Sequence, residues 1–319
     1  MTLIRTFPAL LITLLCAACA KKPEPPATQP APAAATTTTD SNASEFRIGE
    51  LSAVALRDGE IKFPNDGKTF AVGHSPEEVA KLLSAAGAPT QELALGIQPL
   101  LVRAGDKVLL FDTGSGTNFG PTAGKLAVAM KEAGIDAASV TDIFISHVHG
   151  DHVGGLVDAG GSAVFPNATI HLSAPEWDYL KGMDAKAASS VGLDNHAALV
   201  AAMTPKVDAF APGSELVPRV VKAVDIKGHT PGHSGYLIGS GADSLLYIGD
   251  TAHHYIVSVQ EPDWTIAFDG DAPTAQASRK ELIARSAEEG QRIYAVHFPF
   301  PGLGKFAKRG DGYVWVPET

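Results

Sequence analysis

Residues 145–155 read ISHVHGDHVGG. The apolar run just before them, within VTDIFISH (140–147), predicts a buried strand that delivers a turn at its C-terminal end. Within that turn His147, His149, Asp151 and His152 crowd into six positions. Residues two apart in a turn can point the same way, so His147 and His149 can converge on one ion. Asp151 and His152 can then face a second point a few ångströms away. Imidazole and carboxylate are borderline to hard donors, suited to zinc, manganese, iron or cobalt. Three histidines and an aspartate in so short a turn do not read as an ordinary surface loop.

Three further donors sit where strands are predicted to end. RVVKAVDIKGH (219–229) ends on His229, SLLYIGDT (244–251) carries Asp250, and RIYAVHFPFPG (292–302) carries His297. Strand ends of one sandwich can meet at a single edge, and a site needs ligands from rigid elements. His233, in the TPGHS turn, reads as structural. His171 and His196 read as ordinary residues, and His254 as a solvated neighbour of the site.

The surrounding elements follow from caps and periodicity. SPEEVAKLLSAAG (75–87) predicts a helix with Ser75 as N-cap, Pro76 in the first position, Glu78 completing a capping box and Gly87 as stop. Residues 97–114 predict a hairpin turning at AGDK. Residues 47–59 predict a strand running into an Asp-Gly turn. TIHLS (169–173) is a strand, and helices are expected over 122–134, 174–182, 184–203 and 274–290. This order predicts an α/β fold, two packed sheets flanked by helices, an αββα sandwich formed as a single domain over 46–319.

The chain has 319 residues, 45% of them hydrophobic, and a formal net charge of −10. A large core is possible, and the acidic balance disfavours a nucleic-acid partner, which calls for a basic patch. Residues 1–19, MTLIRTFPALLITLLCAAC, place Arg5 before an apolar run and small residues, the pattern of a secretory signal. CAAC at 16–19 resembles a bacterial lipobox with Cys19 as the lipidated residue, although Cys16 stands where Leu is usual. Residues 20–45, rich in Pro, Ala and Thr, predict a disordered spacer. The expectation is an exported, periplasmic protein whose membrane contact is a lipid anchor on Cys19. Cys16 and Cys19 are the two cysteines of the chain. A metal site in the folded part must therefore use His, Asp and Glu.

HVHGDH, GHTPGH, GDT and the late His297 together resemble the metallo-β-lactamase superfamily, over about residues 45–316. The resemblance implies two divalent metal ions, zinc foremost. One would be held by His147, His149, His229 and Asp250, the other by Asp151, His152, His297 and the shared Asp250. FDTG (111–114) matches the superfamily's early aspartate motif, which makes Asp112 the residue that holds the histidine loop. A bridging Asp250 argues against true β-lactamases. The glyoxalase II group is similar at HVHGDH but adds a helical C-terminal domain.

Three stretches, LLFDTGSGTNFGPTAGKLAVAMKEAGI, HVHGDHVGGLVDAGGSAVFPNA and HFPFPGLGKFAKRGDGYVWVP, resemble the methyl parathion hydrolase group with its lactonase and arylesterase relatives. The long segment 60–95 is similar too. Phe119 matches an aromatic that lines the group's substrate pocket. Phe268 and His253 fall where that pocket is apolar, and Trp177 or Tyr179 is a candidate for a further wall. His253 departs from the pattern, since an imidazole suits a nonpolar organophosphate poorly. The implied reaction is cleavage of lactones or aryl esters by a hydroxide shared between the metals, with Asp151 and Asp250 at the reacting centre. Organophosphate triesters are expected as side substrates, and a homodimer is implied by analogy. Alternatives are a β-lactamase or thioester hydrolase of the same superfamily, or a non-catalytic metal-binding lipoprotein. The complete ligand set argues against the last.

Overall fold

Strands that are apolar on both faces sort their side chains into two layers, and this alternation builds the sandwich. The computed structural model describes residues 41–318. One sheet has the order β1 (Ala43–Ile48), β2 (Leu51–Leu56), β5 (Leu100–Ala104), β6 (Lys107–Phe111), β7 (Asp142–Phe144), β8 (Thr169–Ser173), β9 (Val207–Phe210). The other has the order β10 (Glu215–Val217), β11 (Val221–Asp225), β12 (Ser234–Ile238), β13 (Leu245–Tyr247), β14 (Arg292–Tyr294), β15 (Leu303–Arg309), β16 (Gly312–Pro317). β3 (Gly59–Pro64) and β4 (Glu92–Ile97) form a separate two-stranded ribbon.

In β6, Leu109 and Phe111 point to the inner core, where they join Phe144, Tyr236, Tyr247 and Tyr294. Val108 and Leu110 of the same strand point outward to Leu126, Met130 and Leu156. The second sheet repeats the rule. Leu245 and Tyr247 face inward, and Leu246 faces Leu282 and Ile283. Helices cover both outer faces. α2 (Leu126–Glu132), α3 (Gly150–Val153), α4 (Ala174–Gly182), α5 (Ala185–Ser190) and α6 (His196–Met203) add side chains to the first outer layer. α7 (Val257–Gln260) and α8 (Ala272–Glu289) do the same for the second. The expected αββα arrangement is present. α1 (Pro76–Ala85) packs with β3 and β4 in a smaller cluster around Val79, Leu83, Leu93 and Leu95.

Direction positions the site. β6, β7, β8 and β9 run parallel, as do β13 and β14, and parallel neighbours need crossover connections. β11 and β13 both lie antiparallel to β12, so they share a direction. The C-terminal ends of β6, β7 and β8, and of β11, β13 and β14, therefore line up as two rows of loops.

Several local expectations need correction. Residues 47–59 hold a hairpin turn rather than one strand: β1 pairs with β2 around Gly49, whose φ is +57°. β1 begins at Ala43, inside the stretch expected as spacer, because Phe46 and Ile48 pack into the inner core. The helix expected from 122 starts at Leu126. A carboxylate far away in sequence caps it: Asp58 Oδ1 accepts from the Leu126 N–H at 2.8 Å, and its Oδ2 from the Gly124 N–H at 3.0 Å. The ribbon β3–β4 and the final hairpin β15–β16 were not expected. Residues 1–19, with Cys19, and the spacer through residue 40 lie outside the described residues. Among the described residues no helix is long and apolar enough to cross a membrane.

Candidate metal centre

β7 ends at Phe144, and the chain leaves the sheet through Ser146 into His147, His149, Asp151 and His152. The turn is seated on the loop after β6. Thr113 donates to the His152 carbonyl from its N–H (2.7 Å) and its hydroxyl (2.9 Å). A Cβ on Gly154 would overlap the Ser115 carbonyl oxygen, so the two loops meet this closely only with glycine there. From the other sheet come His229 after β11, Asp250 after β13 and His297 after β14.

These side chains fall into two groups. His147, His149, His229 and Asp250 present one donor atom each within a 4.8 Å span, and so do Asp151, His152 and His297. Asp250 lies between them. Its Oδ2 is 3.6 Å from His147 Nε2 and 3.4 Å from His229 Nε2. Its Oδ1 is 3.1 Å from His152 Nε2 and 3.0 Å from His297 Nε2. Asp151 Oδ2 is 3.6 Å from both His152 Nε2 and His297 Nε2. His149 offers Nδ1, 3.1 Å from His229 Nε2.

The far ring nitrogens fix the tautomers. His152 Nδ1 lies 2.7 Å from Asp112 Oδ2, His229 Nδ1 2.9 Å from Asp269 Oδ1, and His297 Nδ1 2.7 Å from the Gly96 carbonyl. His147 Nδ1 lies 3.1 Å from Ser146 Oγ. Each of these Nδ1 atoms donates, which leaves the Nε2 lone pair aimed into the cluster. Asp250 is held too: its backbone N–H donates to His233 Nε2 (2.9 Å), whose Nδ1 donates to the Ile226 carbonyl (3.1 Å). His233 thus has the structural role expected of it.

Burial pushes His147 and His149 well below the ordinary histidine range and takes His229 to about 4, so these rings stay neutral. Burial also opposes charge on His152, but the carboxylates of Asp250, Asp151 and Asp112 outweigh it and hold the proton well above the usual range. Against the same burial, the carboxylates of Asp250 and Asp151 raise His297 in the same way, and a divalent cation seated among these carboxylates would take the place of the protons on His152 and His297 and leave both rings neutral. Four buried atoms in this cluster, His152 Nε2, Asp250 Oδ1 and both ring nitrogens of His253, have no hydrogen-bond partner among the described residues. Buried polar atoms are rarely left so, and cations seated between the two groups would satisfy the first two. The donor set therefore fits a pair of borderline divalent ions.

The metallo-beta-lactamase superfamily model matches residues 95–297, which span the whole cluster. The chain belongs to the metallo-beta-lactamase superfamily. Among solved superfamily folds it resembles AidC, a dizinc quorum-quenching lactonase seen with its product N-hexanoyl-L-homoserine. The two are 31% identical, with a TM-score of 0.81, over 88% of this chain and 98% of that one. It also resembles the hydrolase AbOPH, at 27% identity and a TM-score of 0.76 over the same shares. Among curated proteins it is 25% identical over 194 residues to a probable metallo-hydrolase of Mycobacterium bovis, covering 51% of this chain and 58% of that protein. A ribonuclease Z of Salinibacter ruber matches at 38% over 79 residues, 25% of this chain and 21% of that protein. The chain thus spans little more than half of one curated relative and about a fifth of the other.

Around the superfamily motif the remaining candidates separate. Asp112 does hold the histidine loop, accepting from the Ser146 N–H and hydroxyl (2.7 and 2.6 Å), His152 Nδ1 and the Tyr247 hydroxyl (2.7 Å). His253 is 1% exposed, with Nε2 3.1 Å from Asp250 Oδ2. Its ring is 6.4 Å from that of Phe268, which is 37% exposed and packs edge-on against Phe63. Phe119 packs close to Gly192, whose carbonyl abuts Gly150 in the histidine turn. Trp177 is placed elsewhere, against the outer core of the first sheet, with Lys181 Nζ 5.4 Å from its ring centroid. His254 is not solvated: it is 4% exposed, and its Nδ1 accepts from the N–H groups of Ile256 and Val257.

Three residues escaped the sequence reading. Asp269 bridges His229 to Arg279, whose Nη2 lies 2.7 Å from Oδ2. Asp58 organises the loop after β6, and Glu176 lies under the histidine turn. Asp269 stands in a stretch without a motif, Asp58 reads as part of an Asp-Gly turn, and Glu176 hides in what reads as an ordinary helix start.

Proposed function

We propose that the chain is a dinuclear metal-dependent lactonase, with aryl esters and phosphotriesters as slower substrates. The single observation that carries this is the division of the Asp250 carboxylate, one oxygen toward each histidine group. His147, His149, His229 and Asp250 would hold one ion, and Asp151, His152, His297 and Asp250 the other, with zinc the best match to an all-nitrogen-and-oxygen set. Two such ions would supply a water acidic enough to be a nucleophile at neutral pH and a Lewis acid for the scissile carbonyl.

The chain's own groups do the rest. Asp151 is the more open of the two carboxylates, its side chain 13% exposed against 4% for Asp250, which places it where a proton can pass to solvent. His253 offers an unpartnered ring N–H beside the cluster, where it can donate to an oxygen that gains charge as the carbonyl is attacked. Phe268, packed edge-on against Phe63 and 6.4 Å from the His253 ring, would offer an apolar surface to an acyl or aryl group. The likeness to AidC supports a lactone as the preferred class. Export and anchoring through Cys19 complete the proposal, and a Cys19→Ala variant should leave the membrane fraction.

The test is metal content together with a substrate panel: an N-acyl homoserine lactone, dihydrocoumarin, p-nitrophenyl acetate, methyl parathion and nitrocefin. Two metals per chain with a lactone turned over fastest is the expected result. Nitrocefin fastest, or one metal or none, overturns it.

A further inference from the structure

Glu176 is 1% exposed, and its carboxylate accepts hydrogen bonds from two different loops. Oε1 accepts from the Val148 N–H at 2.9 Å, and Oε2 from the Thr230 hydroxyl and the Gly232 N–H, both at 2.8 Å. Val148 stands between His147 and His149. Thr230 follows His229, and Gly232 precedes His233, the residue that holds the Asp250 backbone. Every donor to Glu176 is thus next in the chain to a member of the cluster or to its support.

The seat is made for this side chain. Ser173 Oγ accepts from the Glu176 N–H at 3.3 Å to cap α4 and donates to the Gly232 carbonyl at 2.6 Å. A Cβ on Gly232 would overlap Ser173 Oγ and the Glu176 backbone nitrogen, so the 229–233 loop reaches the helix end only with glycine there. Glu176 forms no salt bridge among the described residues. A carboxylate buried without a cation is costly. What it alone provides is acceptance from both loops at once; an amide of the same shape would turn an N–H toward one of the donors.

We infer that Glu176 is a positioning residue that sets the spacing of the two loops and thereby the metal affinity of the His147, His149, His229 and Asp250 set. This rests on the metal-centre reading above. In the full chain, Glu176→Gln should bind zinc about 10–100-fold more weakly in competition with a chromophoric chelator, the range seen when such supporting groups are lost. Its cobalt-substituted visible spectrum should change as well. Thr230→Val, which removes one donor and keeps the volume, should weaken binding by less. Combined with Glu176→Gln it should add little further loss, because the two act through one contact. Wild-type zinc affinity and an unchanged cobalt spectrum in Glu176→Gln, even with a lowered Tm, would make the residue a fold clamp and overturn the inference. Should that variant not fold, unchanged affinity in Thr230→Val overturns it equally. A wild-type chain that binds no metal would instead bring down the metal-centre reading itself.

Discussion

Replacing Asp112 by Asn changes one oxygen to an amide and leaves the shape alone, yet the geometry predicts a large effect at a distance. Asp112 accepts four hydrogen bonds: Oδ1 from the Ser146 N–H, and Oδ2 from the Ser146 and Tyr247 hydroxyls and His152 Nδ1. The Ser146 N–H cannot turn away, so the amide nitrogen must take the Oδ2 place. The two hydroxyls can rotate to accept from it. His152 cannot: it must either lose its partner or move its proton to Nε2, the atom that faces Asp151 and Asp250. Either outcome disables His152 as a ligand. A hydrogen bond to a charged group contributes about 1.5–3 kcal/mol. If that falls on metal binding, affinity at the Asp151, His152 and His297 set drops about 10–100-fold. Chelator competition, read as two separate binding steps, should show the weaker step shifted and the other little changed. An Asp112→Asn protein that binds both metals as tightly as wild type and hydrolyses as fast would refute the argument, because His152 would then need no imposed tautomer.

Two other outcomes follow from the same geometry. Asp250→Ala removes the carboxylate between the two groups, so metal content should fall below two per chain and turnover by about 10³-fold or more; full activity in a well-folded variant would sink the bridging role. His254 gives a pH prediction away from the ligands. Burial takes its pKa to about 3, well under the ordinary value of 6.5, so the unfolded chain binds a proton that the native one refuses. The stability from a neutral His254 is present above pH 6.5 and is lost as pH falls toward 3. Between pH 6.5 and 5 the loss is about 2 kcal/mol. His254→Asn, whose side-chain oxygen can still accept from Ile256 and Val257, should lose that much less in urea melts over this range at equal metal load. Parallel curves for the two proteins would show that His254 does not carry the effect.

The convergence of these donor side chains was legible because their chemistry is dense and ends strands: HVHGDH, GHT, GDT and the late His297 stand out against apolar runs, and the same runs betray the two-layer core. What stayed hidden depends on contacts across long stretches of chain. Asp58 caps α2 from 68 residues upstream, and no local signal marks an N-cap that distant. Glu176 follows Ser173 at the spacing of a capping box, so the motif accounts for it locally. In the folded chain only half of that box forms, and the carboxylate turns away to the loops. Asp269 has no motif at all; its role appears only when α8 brings Arg279 beside it. For the further aromatic wall the resemblance leaves Trp177 and Tyr179 open, and both pack against the outer core while Glu176 of the same helix turns to the loops.

The two rows of strand ends that bring the candidate donor side chains together belong to different sheets. His147, His149, Asp151 and His152 leave the first, and His229, Asp250 and His297 leave the second. An ion held in either group would therefore cross-link the halves of the sandwich, closing loops of many tens of residues. Loop closure on that scale is what makes a disulfide effective, and the two cysteines of this chain, Cys16 and Cys19, precede the described residues. Stripping the metals should accordingly lower the cooperativity of unfolding as well as its midpoint, because the two sheets would then be joined by their shared apolar face and by hydrogen bonds such as those of Asp112 and Glu176, without the cross-links.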